Sequence, residues 1–558
     1  MRKYITEGNI LIGPDLNFEP TAGGLGKEIF NVLNSNKGKS AQHHLETGET
    51  LTYDELLIRS VRTAIYLSKK NLQKDDVVCL CSMNNIHTLV SFIACKFANV
   101  QYAAMEPTLP SDDMIYIMNL LKPKVLFVAE NFIPRIEETI DILNHQCELI
   151  SLGRGSTKYK SIYQLFSPVD GEQDFSAPYV EDIKDTAIIA LSSGSTGKPK
   201  GVLLSHYSIL LSLYIMSKEL HRKGTVRFSN FTEEFTIGNN SVIIYSPPYW
   251  LSGFIFSMMT IFCGGCVFVG NVFDAERAWK VFQKFQPDTI FLPPGQVNEL
   301  CAYGSSESPI MSVSFFGTGG GCVTSTHLEQ MKKCFPNTRV TQLYGQTEHS
   351  GLATVVSSNI EEEFEYGEKN LKSCGRPVDG TKLRVVDIDT EKNCGPRECG
   401  ELRIKSKLLM KGYFKMDSSS VFDSEGWFKT GDLVYFDENG FVYVVERIKD
   451  LILYTVYNIA PSIIENILKE HPAIFECCVL GIPHLKDNEH PMAVVVLKKG
   501  HQEGITEREI VSYVNNRVSD DRYKIRGGVK FVNEMLRNPT GKLKKLDMKR
   551  KISEGIPF

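Results

Sequence analysis

The sequence predicts an α/β protein: a large amino-terminal domain of two related α/β lobes with parallel-rich sheets, followed by a small second domain. Three observations predict it. Short apolar strands alternate with helical patterns, a grammar that builds parallel sheets covered on both faces. A helix end, a proline stop and a buried strand occur twice, in Leu121-Lys122-Pro123-Lys124-Val125-Leu126-Phe127-Val128 and in Phe285-Gln286-Pro287-Asp288-Thr289-Ile290-Phe291-Leu292. Near Val444 the text changes, and charged Glu446-Arg447-Ile448-Lys449-Asp450 leads into a compact segment with strands and helices of its own.

Taken in order, Val77-Val78-Cys79-Leu80-Cys81 reads as a buried strand, Val90, Ile93, Ala94 and Phe97 as one face of a helix, and Tyr102-Ala103-Ala104 as the next strand. The two proline-stopped segments then repeat that unit. Ala187-Ile188-Ile189-Ala190-Leu191 is a further strand and runs into a loop rich in serine and glycine. From Ser241 to Phe273 no side chain is charged. Pro247, Pro248, Gly253, Gly264 and Gly265 break that run, and Val267-Phe268-Val269 reads as strand, so it predicts buried core rather than a membrane span. No low-complexity linker precedes the second domain, which predicts a hinge of few residues. In such sheets ligands bind beyond the carboxyl ends of the strands.

Composition narrows the function. At 558 residues and 42% hydrophobic content the chain exceeds the roughly 250 to 300 residues of a single core. Its 62 basic and 66 acidic residues give a net charge of −4, with no global field toward nucleic acid or anionic membrane, so a small molecule is the expected partner. The 14 cysteines are scattered in apolar surroundings, as expected for a reducing, cytoplasmic compartment. The amino terminus lacks a secretory pattern and Ile556-Pro557-Phe558 matches no peroxisomal tripeptide. Cys263-Gly264-Gly265-Cys266 has no second Cys or His pair nearby, which favours packing over metal or redox chemistry.

The loop Ser192-Ser193-Gly194-Ser195-Thr196-Gly197-Lys198-Pro199-Lys200-Gly201 has what a polyphosphate needs: glycines that admit close backbone N–H groups, hydroxyl donors and lysines. On composition alone a surface loop fits as well. It is not a Walker A loop, because Ser192 and Pro199 stand where a glycine and a hydroxyl residue are required.

This loop, together with Tyr344-Gly345-Gln346-Thr347-Glu348, Gly400-Glu401-Leu402, Gly426-Trp427-Phe428-Lys429-Thr430-Gly431-Asp432, Glu446-Arg447-Ile448-Lys449 and Pro539-Thr540-Gly541-Lys542, resembles the ordered signature of the adenylate-forming superfamily. That superfamily holds acyl-CoA synthetases, coumarate:CoA ligases, peptide synthetase adenylation domains and beetle luciferases. The resemblance implies an amino-terminal adenylation domain, residues 1–447, with a β-barrel-like part beside its lobes, and a small mobile α+β carboxy-terminal domain, residues 448–558. It implies ATP and Mg²⁺ as cofactors, a small carboxylic acid as substrate and coenzyme A as co-substrate, with an acyl-adenylate between them.

By the same resemblance Ser192, Ser193, Gly194, Ser195, Thr196, Gly197, Lys198 and Lys200 form the ATP phosphate loop, and Thr347 contacts the α-phosphate. Glu348 is the metal ligand, a role suited to a hard carboxylate. Gly319, Gly320 and Gly321 lie along adenine and the acyl group, and Tyr344 and Gly345 bind ATP; a tight turn is the plain alternative for the glycines. Asp432 chelates the ribose hydroxyls, assisted by Arg447, and Lys449 is the hinge. Lys542 bridges the substrate carboxylate and the α-phosphate, although it also sits in a basic tail of the kind that forms solvated helix faces.

Three departures matter. Leu453 and Val456 stand where coumarate:CoA ligases carry lysine and glycine, and a β-branched residue at the glycine position narrows the path of a thiol. Trp250, in Ser246-Pro247-Pro248-Tyr249-Trp250-Leu251-Ser252, replaces a histidine. With Ser252 it would shape an apolar acyl pocket, or else it is a core residue. Glu446 replaces an aspartate beside Arg447.

Overall fold

The computed structural model describes residues 4–556 except 156–157, 193–197, 221–224, 229–230, 235–239, 304–308, 322, 324, 358–359, 499, 501–503 and 538–542; the side chains of residues 220, 225–228, 231–234, 302 and 325 are also outside the description. The chain divides into two compact units. The first holds Met1–Leu383, Ile404–Phe428 and Gly440–Val442; the second holds Arg384–Arg403, Lys429–Asn439 and Tyr443–Phe558.

In the first unit, the strands Val77–Cys81, Gln101–Met105, Val125–Val128 and Glu148–Ser151 are joined by helices Thr88–Phe97, Ser111–Leu121 and Ile133–Leu143. The second strand pairs on one side of the first, the third on the other side, and the fourth beyond the third, all parallel. The strands Ser241–Ile244, Cys266–Val269, Thr289–Phe291 and Phe315–Gly319 repeat that order and direction. Two lobes of one topology therefore lie in tandem, as the duplicated proline stop implies. The physical basis of that stop is the same in both lobes. The helix Ser111–Leu121 ends on Lys122 at φ 46, ψ 59, and the helix Ala275–Phe285 ends on Gln286 at φ 48, ψ 59. A left-handed residue terminates the helix, and a proline without an N–H prevents its resumption before the chain enters the strand.

Burial follows from central placement. Every residue of Val77–Cys81 and of the helix Thr88–Phe97 is buried, so neither carries a polar face. The uncharged run from 241 to 273 is a strand, the 12-residue helix Leu251–Phe262 and a strand. Among the described residues no helix is long and apolar enough to cross a membrane.

A third sheet runs in the order Leu11–Ile12, Thr381–Val386, Gly400–Ser406, Phe428–Phe436, Val442–Arg447, where the barrel-like part is expected. Phe428–Phe436 alternates strictly between buried and half-buried residues, the period of a one-faced strand. The second unit has its own α+β core: a sheet of Tyr457–Ile459, Ile452–Tyr454, Asn488–Leu497 and Ile474–His484, with Val529–Phe531 added parallel to Asn488–Leu497. The helix Pro461–Lys469 covers it through Ile464 and Leu468, and Glu507–Asn515 through Ile510 and Val514.

Candidate functional site

In the first unit the strands of the second lobe deliver their loops to one end of the sheet. Gly319 closes the strand Phe315–Gly319 and pairs with Leu343 of the neighbouring parallel strand Arg339–Gln346. Gly319-Gly320-Gly321 and the Thr347–His349 turn therefore leave adjacent strands at their carboxyl ends, where such sheets bind ligands. Gly320 has φ +84, a turn that glycine makes without strain. Gly345 is required by space: a Cβ there would lie 2.1 Å from the carbonyl oxygen of Gly351 on the antiparallel strand Gly351–Val355. Tyr344 is buried and its hydroxyl accepts from Gln346 Nε2 at 3.3 Å.

The serine-glycine loop closes a hairpin between Thr186–Ser192 and Lys200–Ser205, with Ser192 paired to Lys200. A strand, not a helix, follows the loop, which separates it structurally from a Walker A loop. Ser193, Gly194, Ser195, Thr196 and Gly197 lie outside the described residues. At its two ends, Lys198 Nζ sits 4.9 Å from the ring centre of Tyr116, and Lys200 Nζ sits 4.9 Å from that of Tyr413.

Glu348 links this hairpin to the second lobe. Its Oε1 accepts from the Tyr413 hydroxyl at 3.1 Å and from Ser192 Oγ at 3.4 Å, while its carbonyl accepts from the Met410 N–H at 2.8 Å. Both side-chain donors are neutral, so the arrangement orients a carboxylate without neutralising it, as a hard cation ligand requires. Burial and the Glu348 carboxylate push the Tyr413 phenol up and keep it a donor. Tyr413 is a site residue that sequence reasoning missed. Its signal was faint: a Gly412-Tyr413 pair in a loop, whose backbone adds to the edge strand through Leu203 N–H to Gly412 O at 3.0 Å and Phe414 N–H to Gly201 O at 2.7 Å. Next to Glu348, His349 is fully buried and desolvation lowers its imidazole to about 4, a neutral core histidine.

Trp250 caps the helix Leu251–Phe262 and is half-buried, its ring packed against the hydrophobic core, with Ser252 also half-buried two residues on.

In the second unit, the alternation of Phe428–Phe436 turns Asp432 to the buried face, where it is 2% exposed. Asp432 Oδ1 accepts from Arg447 Nε at 2.7 Å, and its N–H donates to Thr430 Oγ1 at 3.1 Å. Thr430 in turn donates to the Leu402 carbonyl at 2.7 Å, so the strand Gly400–Ser406 helps fix the carboxylate. Glu446 does different work. Its carboxylate accepts from the N–H of Ser462 and of Arg447, each at 3.2 Å, anchoring the amino terminus of the helix Pro461–Lys469. Lys449 is exposed in the turn Ile448–Asp450. Leu453 lies on a strand, paired with Asn458, and Val456 in the turn of a tight hairpin in which Tyr454 pairs with Tyr457; Thr455 takes φ 54 and Val456 is 81% exposed. Lys542 lies outside the described residues.

Known proteins match this chain along most of its length. It is 27% identical to the luciferin 4-monooxygenase of Photuris pensylvanica, covering 96% of each chain. It is 28% identical to the peroxisomal OPC-8:0-CoA ligase 1 of Arabidopsis thaliana, covering 93% of this chain and 92% of that one. Among solved structures, the luciferase-like enzyme of the nonluminescent Zophobas morio mealworm superposes with a TM-score of 0.72 at 28% identity, covering 79% of this chain and 100% of that one. Residues 31–414 match the AMP-binding enzyme family and residues 463–542 its C-terminal domain. These matches show that the chain belongs to the AMP-binding enzyme family.

Proposed function

We propose that this protein is an ATP-dependent carboxylic acid:coenzyme A ligase that works through an acyl-adenylate. The observation that carries the proposal is Glu348, oriented by Ser192 and Tyr413 at the foot of the serine-glycine hairpin. In this reading residues 1–447 form the adenylation domain and residues 448–558 carry the adenylation lysine, Lys542. The loop from Ser192 to Lys200 closes on the β- and γ-phosphates, and Thr347 contacts the α-phosphate. Tyr344, Gly345 and the Gly319–Gly321 strip lie along adenine, while Asp432, aligned by Arg447, takes the ribose hydroxyls. Trp250 and Ser252 shape the acyl pocket of an aromatic or medium-to-long acid.

A substrate carboxylate oxygen attacks the α-phosphorus, the bond to the bridging oxygen breaks and pyrophosphate leaves. Lys542 stabilises the charge that develops between carboxylate and phosphate. Mg²⁺ held by Glu348 and phosphate oxygens would offset the charge on the triphosphate. In the second half-reaction, after rotation at Lys449, the thiol sulfur attacks the acyl carbonyl and AMP leaves. The fourteen scattered cysteines favour a reducing, cytoplasmic setting.

A second reading keeps the adenylation and sends the intermediate to another acceptor, as in a luciferase-like monooxygenase. Leu453 and Val456 favour it, and so does the similar identity of luciferin monooxygenase and CoA ligase relatives. Pyrophosphate release from the full chain with ATP, Mg²⁺ and a panel of aromatic and fatty acids, with and without coenzyme A, separates the two. Acyl-CoA accumulation supports the ligase. Acyl-AMP unaffected by coenzyme A in the native protein, with thioester formed by Val456→Gly, supports the second reading. No acid-dependent pyrophosphate across the panel, with ATP still bound, overturns both in favour of a non-catalytic acid- or nucleotide-binding relative.

A further inference from the structure

The hairpin of Ile474–His484 and Asn488–Leu497, in the second unit, carries a cluster that adenylation does not use. His484, Asp487 and His490 each place a ligand atom within 4.8 Å of the others. The register explains why. Ile482 pairs with His490 and His484 with Asn488, so the two histidines project from the same face on a diagonal across the antiparallel ladder. Their rings stack at 3.7 Å with 16° between planes. Asp487 lies in the connecting turn, and its Oδ2 sits 2.7 Å from His490 Nε2 and 3.2 Å from His484 Nδ1.

The turn is fixed by its backbone rather than by the cluster. The Asp487 carbonyl accepts from the N–H groups of Thr455 and Glu489, each at 2.8 Å, and Asn488 Nδ2 donates to the Thr455 carbonyl at 2.6 Å. The carboxylate is thus held between two imidazoles before any ion arrives.

We propose that His484, Asp487 and His490 form a binding site for a divalent transition-metal ion, with zinc as the best fit. Two imidazole nitrogens and one carboxylate oxygen are the donor set of borderline ions rather than of magnesium or calcium, which prefer oxygen alone. Metal–ligand bonds of ~2.0 to 2.2 Å at tetrahedral angles put ligand atoms about 3.3 Å apart. The His484–Asp487 separation of 3.2 Å already meets that spacing, and the His490–Asp487 pair at 2.7 Å has to open only slightly. Side-chain exposures of 39%, 30% and 16% for His484, Asp487 and His490 leave an entry path and a fourth position for water. A bound ion would staple the hairpin tip beside the Tyr454-Thr455-Val456 turn, since Tyr454 pairs with Asn488.

The test is titration of the chelator-treated full chain with Co²⁺, read by its visible d–d absorption and by stoichiometry, with Zn²⁺ as competitor. One Co²⁺ per chain, displaced by Zn²⁺, is expected. His484→Ala and His490→Ala should each weaken binding roughly 100-fold, and Asp487→Asn roughly tenfold or more. Thermal melts of the metal-free variants should match the native protein, because the turn keeps its backbone bonds. Equal uptake by native protein and histidine variants would overturn the proposal. So would a near-ultraviolet thiolate charge-transfer band, which would place the ion at a cysteine such as exposed Cys399. Absence of stoichiometric binding would leave the cluster as a pair of imidazole–carboxylate hydrogen bonds and would equally overturn it.

Discussion

Gly345→Ala is the perturbation that most directly couples the fold to the proposed chemistry. The added Cβ would stand 2.1 Å from Gly351 O and 2.8 Å from Gly351 C, well inside the 3.0 Å below which Cβ contacts essentially do not occur. Both obstructing atoms are backbone of the paired strand, so neither can swing aside as the end of a flexible side chain would. The strand Gly351–Val355 has to move from Arg339–Gln346, carrying the Thr347–His349 turn and Glu348 with it. Overpacking of this kind costs about 3 kcal/mol. For a domain of this size that lowers the melting temperature by about 4 °C or more. Gly320→Ala is the internal control, since its Cβ would meet nothing within 4 Å and only its φ of +84 opposes it. That strain costs about 1 kcal/mol. Thermal melts and acid-dependent pyrophosphate release should both rank native, Gly320→Ala and Gly345→Ala in that order. A Gly345→Ala protein that melts and turns over like the native one would refute the steric argument.

Two further outcomes follow from buried charges. Asp432→Asn removes one charge-assisted acceptor from the proposed ribose contact, which weakens ATP roughly 10- to 100-fold. The KM for ATP should rise while that for the acid holds; an unchanged ATP KM would reduce Asp432 to a structural partner of Arg447. Lys96 is 2% exposed, donates to Val100 O at 2.8 Å and to Ala187 O, and burial lowers its amine to about 8. Below pH 8 it is charged in both states and the burial cost is present in full; from there to 10.5 the unfolded chain binds the extra proton, so stability rises with pH. The stability difference between Lys96→Met and the native protein should therefore shift by roughly 3 kcal/mol in favour of the native protein across that window. Parallel pH profiles of melting temperature would contradict the buried-amine account.

Local patterning was legible in the residues themselves. The proline stops at Pro123 and Pro287 follow left-handed helix ends and precede buried strands, and those strands occupy equivalent places in two lobes. The inward position of Asp432 was not legible in this way: Lys429-Thr430-Gly431-Asp432-Leu433 looks like a turn in sequence, and only the structure makes Phe428–Phe436 one strand with Asp432 on its buried face.

The sequence by itself determined the strand–helix grammar, the duplicated lobe and the signature motifs, since each depends on residues a few positions apart. Only the tertiary structure decided which distant groups meet. Tyr413 reaches Glu348 because residues 411–414 add to the edge strand Lys200–Ser205, a pairing with no periodic signature. Glu446 serves a helix terminus because Ser462 folds back over it. His484 and His490 share Asp487 because a ladder register sets them on one face. The Tyr413–Glu348 contact closes 65 residues of chain, and even the short-range clusters depend on pairing register and helix placement that no local propensity encodes.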